Sequence, residues 1–163
     1  MHPIAYKKIF NKRKMTFIGQ YTSKIDDKGR VVFPAPFKNE LHVSSDRRFV
    51  IKKSLYDNCL EMWPYDEWER ESDSIRRSLD FFNPNHVRFW RQYMRGCDIV
   101  EPDIKFGRIS VSKKLLSAIG VNKEVVFFGI NYKLEIWAAE EFESSQVPTD
   151  EYVALAKSLS REQ

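Results

Sequence analysis

The chain has 163 residues with 27 Lys and Arg against 23 Asp and Glu, and its apolar content suffices for one medium compact domain or two small ones. No apolar run approaches the about 20 residues that span a bilayer, and no secretory-length apolar stretch follows the basic N-terminus, so neither a membrane helix nor a signal peptide is expected. The formal charge of +4 is local: Lys7, Lys8, Lys12, Arg13 and Lys14 precede residue 15 without an acid among them, which leaves 22 basic and 23 acidic residues in the body. Nucleic-acid binding by that body would have to rest on local clusters of charge.

Residues 1–14 show little periodicity and are expected to be a basic, disordered extension; the alternative is an arm that grips DNA. From Phe17 towards Ile25 larger apolar residues alternate as in a strand. Asp26-Asp27-Lys28-Gly29 is a turn, because Asp tolerates turn conformations and Gly supplies a positive φ. Val31-Val32-Phe33 is a second strand, stopped by Pro34 and Pro36, and Pro36 suits the first turn of a short helix from Phe37 to Leu41. Phe49-Val50-Ile51 and Leu60-Glu61-Met62-Trp63 are further strands, which makes 15–64 one β-rich module.

A helical hairpin is predicted over 65–97. Asp66 is the expected N-cap, with Glu67, Glu69 and Glu71 near the positive end of the dipole. This helix runs to about Leu79 and breaks near Asn83-Pro84. In the second helix Val87, Trp90, Met94 and Cys97 share a face, while Arg88, Arg91 and Arg95 share another. That arginine stripe suits a solvated or subunit-pairing surface, or alternatively phosphate. A second module over 98–146 holds the strand Arg108-Ile109-Ser110-Val111 and a helix from Lys113 to Ile119, capped by Ser112 and ended by Gly120. Strands at Val125-Val126-Phe127-Phe128 and Leu134-Glu135-Ile136-Trp137 follow, joined around Asn131. In the tail, 147–163, Pro148-Thr149-Asp150 starts a short helix whose Tyr152, Leu155, Ala156 and Leu159 are spaced for docking or oligomer contact.

The second module repeats the first. Gly29-Arg30 and Gly107-Arg108 lie 78 residues apart; Leu60-Glu61-Met62-Trp63 and Leu134-Glu135-Ile136-Trp137 lie 74 apart, as do the acidic-aromatic ends Asp66-Glu67-Trp68-Glu69 and Glu140-Glu141-Phe142-Glu143. Blocks matching in the same order mark a tandem duplication, so two similar units are the building plan. Cys59 and Cys97 lack metal-ligand spacing and are expected to be buried, reduced thiols.

Gly19-Gln20-Tyr21, then Ile25 through Ala35 (Ile-Asp-Asp-Lys-Gly-Arg-Val-Val-Phe-Pro-Ala), resemble the opening of the MraZ family, bacterial regulators of the division and cell-wall gene cluster within the AbrB-like group. Leu60 to Pro64, Trp68, Arg88, Phe89, Arg91, Gly96-Cys97, Gly107-Arg108 and Leu134 to Trp137 continue the resemblance, which covers about residues 15–146. It implies an α+β fold of two tandem AbrB-like swapped-hairpin modules, related by pseudo-twofold symmetry and joined by the helical hairpin. It also implies a cytoplasmic, nucleoid-associated transcription regulator, assembled as a ring-like homo-oligomer on short direct repeats of double-stranded DNA in a promoter, that of its own operon.

The family signature is an Asp-x-x-x-Arg in each turn. Asp26 and Arg30 match it, which implies that Asp26 positions Arg30 through a charge-assisted hydrogen bond. The second turn has Ile104 four residues before Arg108, with Asp103 displaced by one, so Arg108 must find another partner or be held less firmly. The DNA-binding residues implied are Lys28 and Arg30 in the first turn, and Lys105 and Arg108 in the second: arginine reads guanine O6 and N7, and lysine supplies charge to phosphates. By itself the Asp26–Arg30 pair is equally a turn-stabilising contact.

Other classes have less behind them. His2, His42 and His86 are scattered, and no phosphate loop or metal-ligand run occurs, so no enzyme activity, cofactor, metal or small-molecule substrate is expected. Glu61 and Glu135 occupy equivalent positions and resemble paired catalytic carboxylates, although strand alternation explains them as outward positions; a shared cleft at about 5–10 Å would bring a glycosidase-like site back. The alternative function is an AbrB-like antitoxin or protein-interaction module without a sequence-specific DNA role.

Overall fold

The computed structural model of the chain describes residues 14–41 and 46–161. In chain order these form β1 (Phe17–Lys24), β2 (Arg30–Val32), α1 (Ala35–Glu40), β3 (Phe49–Lys53), β4 (Leu60–Pro64), α2 (Tyr65–Arg77), α3 (Pro84–Arg95), β5 (Asp98–Val100), β6 (Arg108–Ser110), α4 (Lys113–Ala118), β7 (Glu124–Asn131), β8 (Leu134–Ala138), α5 (Ala139–Ser144) and α6 (Thr149–Arg161). The fold is mixed α+β on antiparallel sheets.

Neither half of the chain completes a sheet alone. A six-stranded sheet runs β1-β7-β8-β4-β3-β5, and β2 pairs with β6 in a separate ribbon. β1 pairs along its whole length with β7, from Phe17 opposite Asn131 to Lys24 opposite Glu124. β5 returns the exchange by pairing with β3, and β4 meets β8 at the centre, Glu61 opposite Glu135. Replacing each strand by its counterpart (β1 by β5, β3 by β7, β4 by β8) gives the same order from the other edge. The core is shared too: the Phe33 ring lies 5.6 Å from Phe49 and 5.7 Å from Phe127, centroid to centroid, and Ile51, Leu60, Met62, Ile109, Leu134 and Ile136 close around them.

Several boundaries depart from the sequence expectation. Asp66 lies inside the first turn of α2, because β4 runs directly into that helix and Pro64, in extended backbone, takes the N-cap place. Helix α2 ends at Arg77, short of Leu79, and α1 begins at Ala35, with Pro36 in its first turn as expected. The Asn83 side chain caps α3 by accepting from the Asn85 N–H at 2.9 Å. On α3, Met94 is exposed, and Tyr93 takes its place on the packed face, stacked on Trp90 at 5.2 Å with the Lys52 ammonium 4.0 Å from its ring centre. Cys59 is buried, Cys97 only half-buried, and both are free thiols. Ser112 and Gly120 (φ +65°) bound α4 as predicted. Helix α6 is 13 residues long rather than short, and Tyr152, Leu155 and Leu159 stand exposed on it. Of the basic extension expected over 1–14, all but Lys14 lies outside the described residues.

One close approach fixes the β1–β7 seam. Gly129 stands opposite Gly19, and a Cβ on Gly129 would lie 2.6 Å from the Phe17 carbonyl carbon. Gly129→Ala should lower the unfolding free energy by about 1–3 kcal/mol, the usual cost of overpacking, measured as a lower urea midpoint at unchanged m-value.

Candidate nucleic-acid interface

The ribbon β2–β6 joins the two Gly-Arg turns. Val31 pairs with Ile109, Arg30 with Ser110, and Val32 with Arg108. Because side chains alternate along a strand, Val31 and Ile109 enter the core, while Arg30, Val32, Arg108 and Ser110 share the outward face. The ribbon is extended reciprocally: the Phe33 N–H donates to the Gly107 carbonyl at 2.8 Å, and the Val111 N–H to the Gly29 carbonyl at 2.9 Å. Both glycines have positive φ, +78° and +64°. A Cβ on Gly29 would also lie 2.6 Å from the Val111 carbonyl oxygen, so a side chain there would part the ribbon.

In the first tip Asp26 organises the whole turn. Its Oδ1 accepts the N–H groups of Lys28 at 3.0 Å and Arg30 at 2.8 Å, and its Oδ2 accepts Arg30 Nε at 2.6 Å. The arginine is thus held at its Nε, with its side chain 36% exposed. Lys28 is exposed beside it.

The second tip finds its acid one residue earlier than the family spacing. Asp103 Oδ1 accepts the Phe106 N–H at 2.6 Å, and Oδ2 accepts the Arg108 N–H at 2.9 Å. The extra residue opens the side-chain pair, however: Arg108 Nε stands 3.9 Å from Asp103 Oδ2 and makes no hydrogen bond. Arg108 packs instead on the Phe106 ring, its guanidinium carbon 4.5 Å from the centroid. Both acids lie below their ordinary carboxyl range. For Asp26 the leading cause is the Arg30 N–H, with the Arg30 side chain and Lys28 N–H adding to it; for Asp103 it is the Phe106 N–H, followed by that of Arg108.

The structure therefore brings Arg30 and Arg108 onto one face, with exposed Lys28 and Lys105 at its two ends. No local signal marks the tips as neighbours, since the β2–β6 pairing spans the two modules. Two further lysines were missed. Lys113 lines a shallow hollow with Lys28 and Ser110, and a Cβ placed on Gly107 would lie 3.2 Å from Lys38 Nζ; each enters from a helix that follows its ribbon strand.

Glu61 and Glu135 do share a cleft, of about 940 Å³, between the sheet and the helical hairpin. Their bonds explain the repeated Leu-Glu-x-Trp block without chemistry. Glu61 Oε1 accepts the Trp63 indole N–H at 3.1 Å, and Glu135 Oε1 that of Trp137 at 3.0 Å. Glu61 Oε2 also accepts from the buried Lys133 ammonium at 2.9 Å, which relieves two like charges facing each other across β4 and β8. His86 accepts the Asp80 N–H at its Nδ1, holding the hairpin bend. Among the described residues no three potential metal ligands gather, and no helix is long and apolar enough to cross a membrane.

The family profile described as "MraZ protein, putative antitoxin-like" matches residues 16–92 and 94–152. The chain belongs to the MraZ family. It is 32% identical over 147 residues to a Bacteroides fragilis protein named Transcriptional regulator MraZ, covering 90% of this chain and 92% of that one. Proteins of the same name from Moorella thermoacetica and Flavobacterium psychrophilum are 38% and 34% identical, covering 88% and 80% of this chain and 96% and 82% of theirs. Of this chain's two Gly-Arg turns, the first has its aspartate four residues before the arginine and the second has it five before.

The lowered carboxyls set a pH dependence. Each acid contributes to its turn fully above its ordinary value near 3.8, and the contribution fades as pH falls through the lower folded value. Tip geometry should therefore be constant near neutrality. Carboxyl carbon shifts followed by NMR should put the Asp26 and Asp103 midpoints below the ordinary value near 3.8, and Asp26→Asn should disturb the Arg30 Nε–H resonance.

Proposed function

We propose that the chain is a sequence-specific DNA-binding transcription regulator whose reading element is the outward face of the β2–β6 ribbon. The observation that carries this is the pair of arginines on one face of a two-stranded ribbon, each rising from a turn organised by an aspartate. A two-stranded ribbon fits the major groove, and arginine with free terminal nitrogens matches guanine O6 and N7. Lys28 and Lys105 then meet phosphates. The exchanged strand order supports an AbrB-like swapped-hairpin architecture with a local twofold, and the names of the relatives support the regulatory role. On this reading the protein works in the cytoplasm on the nucleoid, at short direct repeats in a promoter, that of its own division and cell-wall operon.

Arg30→Ala should nearly abolish specific binding, a loss of about 1–3 kcal/mol for each guanine no longer read, with fold and assembly intact. Arg108→Ala should cost less, because its Nε makes no hydrogen bond to Asp103 and the side chain is held less firmly. Gel-shift titrations of the two variants test the ranking, and equal losses would overturn it. Mapping bound DNA across the genome should place the main peak upstream of the protein's own gene.

One ribbon makes few contacts, so affinity is expected to come from several protomers on adjacent repeats, in a ring-like homo-oligomer. Exposed apolar side chains support this: Tyr152, Leu155 and Leu159 on α6, and Phe81 and Phe82 at the hairpin bend. Light scattering at micromolar concentration should give a multimer; a monomer would count against the assembly. The same α6 face favours a second reading, an antitoxin-like module that captures a partner protein. Deleting 147–163 separates the two, because loss of solubility or partner exchange, in a protein without operator preference, would favour the second.

A further inference from the structure

The two tips differ in chemistry. With the Gly-Arg pairs aligned, Phe106 stands where the first tip has Lys28. The backbone agrees, since the N–H of each donates to Oδ1 of the organising aspartate. The second tip thus projects an aromatic ring from the place where the first projects an ammonium. That ring is 56% exposed, and nearby Ile104 is 89% exposed. The Arg108 guanidinium lies against the ring, and the Lys105 ammonium is 5.1 Å from its centre. These cations keep the ring beside the arginine while leaving more than half of it bare.

An apolar pair bared at the end of a ribbon that carries reading arginines calls for an apolar group on the ligand. The major groove displays one such group, the 5-methyl of thymine, which cytosine lacks. We propose that Phe106, with Ile104 beside it, recognises thymine methyl groups, so that the two tips of one protomer read different base edges. The first tip reads with Arg30, with Lys28 on phosphate; the second couples Arg108 to an apolar contact. This rests on DNA binding by the ribbon.

The test uses duplexes enriched from a random pool by the wild-type protein. Each thymine is then replaced in turn by deoxyuridine, which removes only the methyl. Wild-type affinity should fall about fourfold at one or more positions, the scale of burying one methyl group. Phe106→Ala and Phe106→Lys should bind the unmodified duplex more weakly and become indifferent to that replacement. Phe106→Tyr should keep the sensitivity. An enriched duplex with no methyl-sensitive thymine, or the same fourfold loss in Phe106→Ala, would overturn the role of Phe106 while leaving DNA binding standing. Failure to enrich any sequence would overturn the DNA-binding function itself, and this assignment with it.

Discussion

The constraint on which the molecule turns is the reciprocal bonding of the two Gly-Arg turns. Each glycine carbonyl accepts an N–H from the strand of the other half, so neither turn is completed by its own repeat. This closure sets Val31 beside Ile109 under the ribbon and both arginines above it. It also leaves no room for a Cβ at Gly29. The exchange of β1 and β5 in the main sheet follows the same logic, each pairing with a strand of the other repeat.

The local elements were legible in the sequence because their signals are local. Gly29, Pro36, Ser112, Gly120 and Asn131 act on the backbone within a few residues, and each marks its turn, cap or bend. The repeat itself was visible because Leu-Glu-x-Trp carries a bond between side chains two residues apart. The β2–β6 pairing was hidden, since nothing in a three-residue strand names its partner. Strand β5 was hidden for a related reason: Asp98-Ile99-Val100 is too short to show alternation and is defined by pairing with β3. Asp66 was misread as a cap because a strand running directly into a helix leaves the N-cap to Pro64.

Of the candidate site, Asp26 and Arg30 were legible from spacing. Asp103 was undervalued, because a turn longer by one residue still lets a carboxylate reach two backbone N–H groups. What the added residue loses is the side-chain hydrogen bond, leaving a longer ion pair beside the Phe106 ring. Two copies of one turn thus hold their arginines differently, one by a directional side-chain hydrogen bond, the other by a longer ion pair and an aromatic face. Identical geometry at both tips would give the ribbon a matching twofold surface; the unlike tips of this protomer break that symmetry.

The weaving of the two halves also has a consequence for synthesis. β1 leaves the ribosome first, yet its partner β7 ends only at Asn131. At ordinary rates of translation the strand waits on the order of ten seconds with both backbone edges unpaired. A strand so placed is a template for misassociation with other nascent chains. β1 is suited to the wait: Gln20, Thr22, Ser23 and Lys24 make its far half polar, and in the finished protein only Phe17 among its side chains is fully buried. The low apolar content of the first strand is a condition of the chain remaining single until its second half exists.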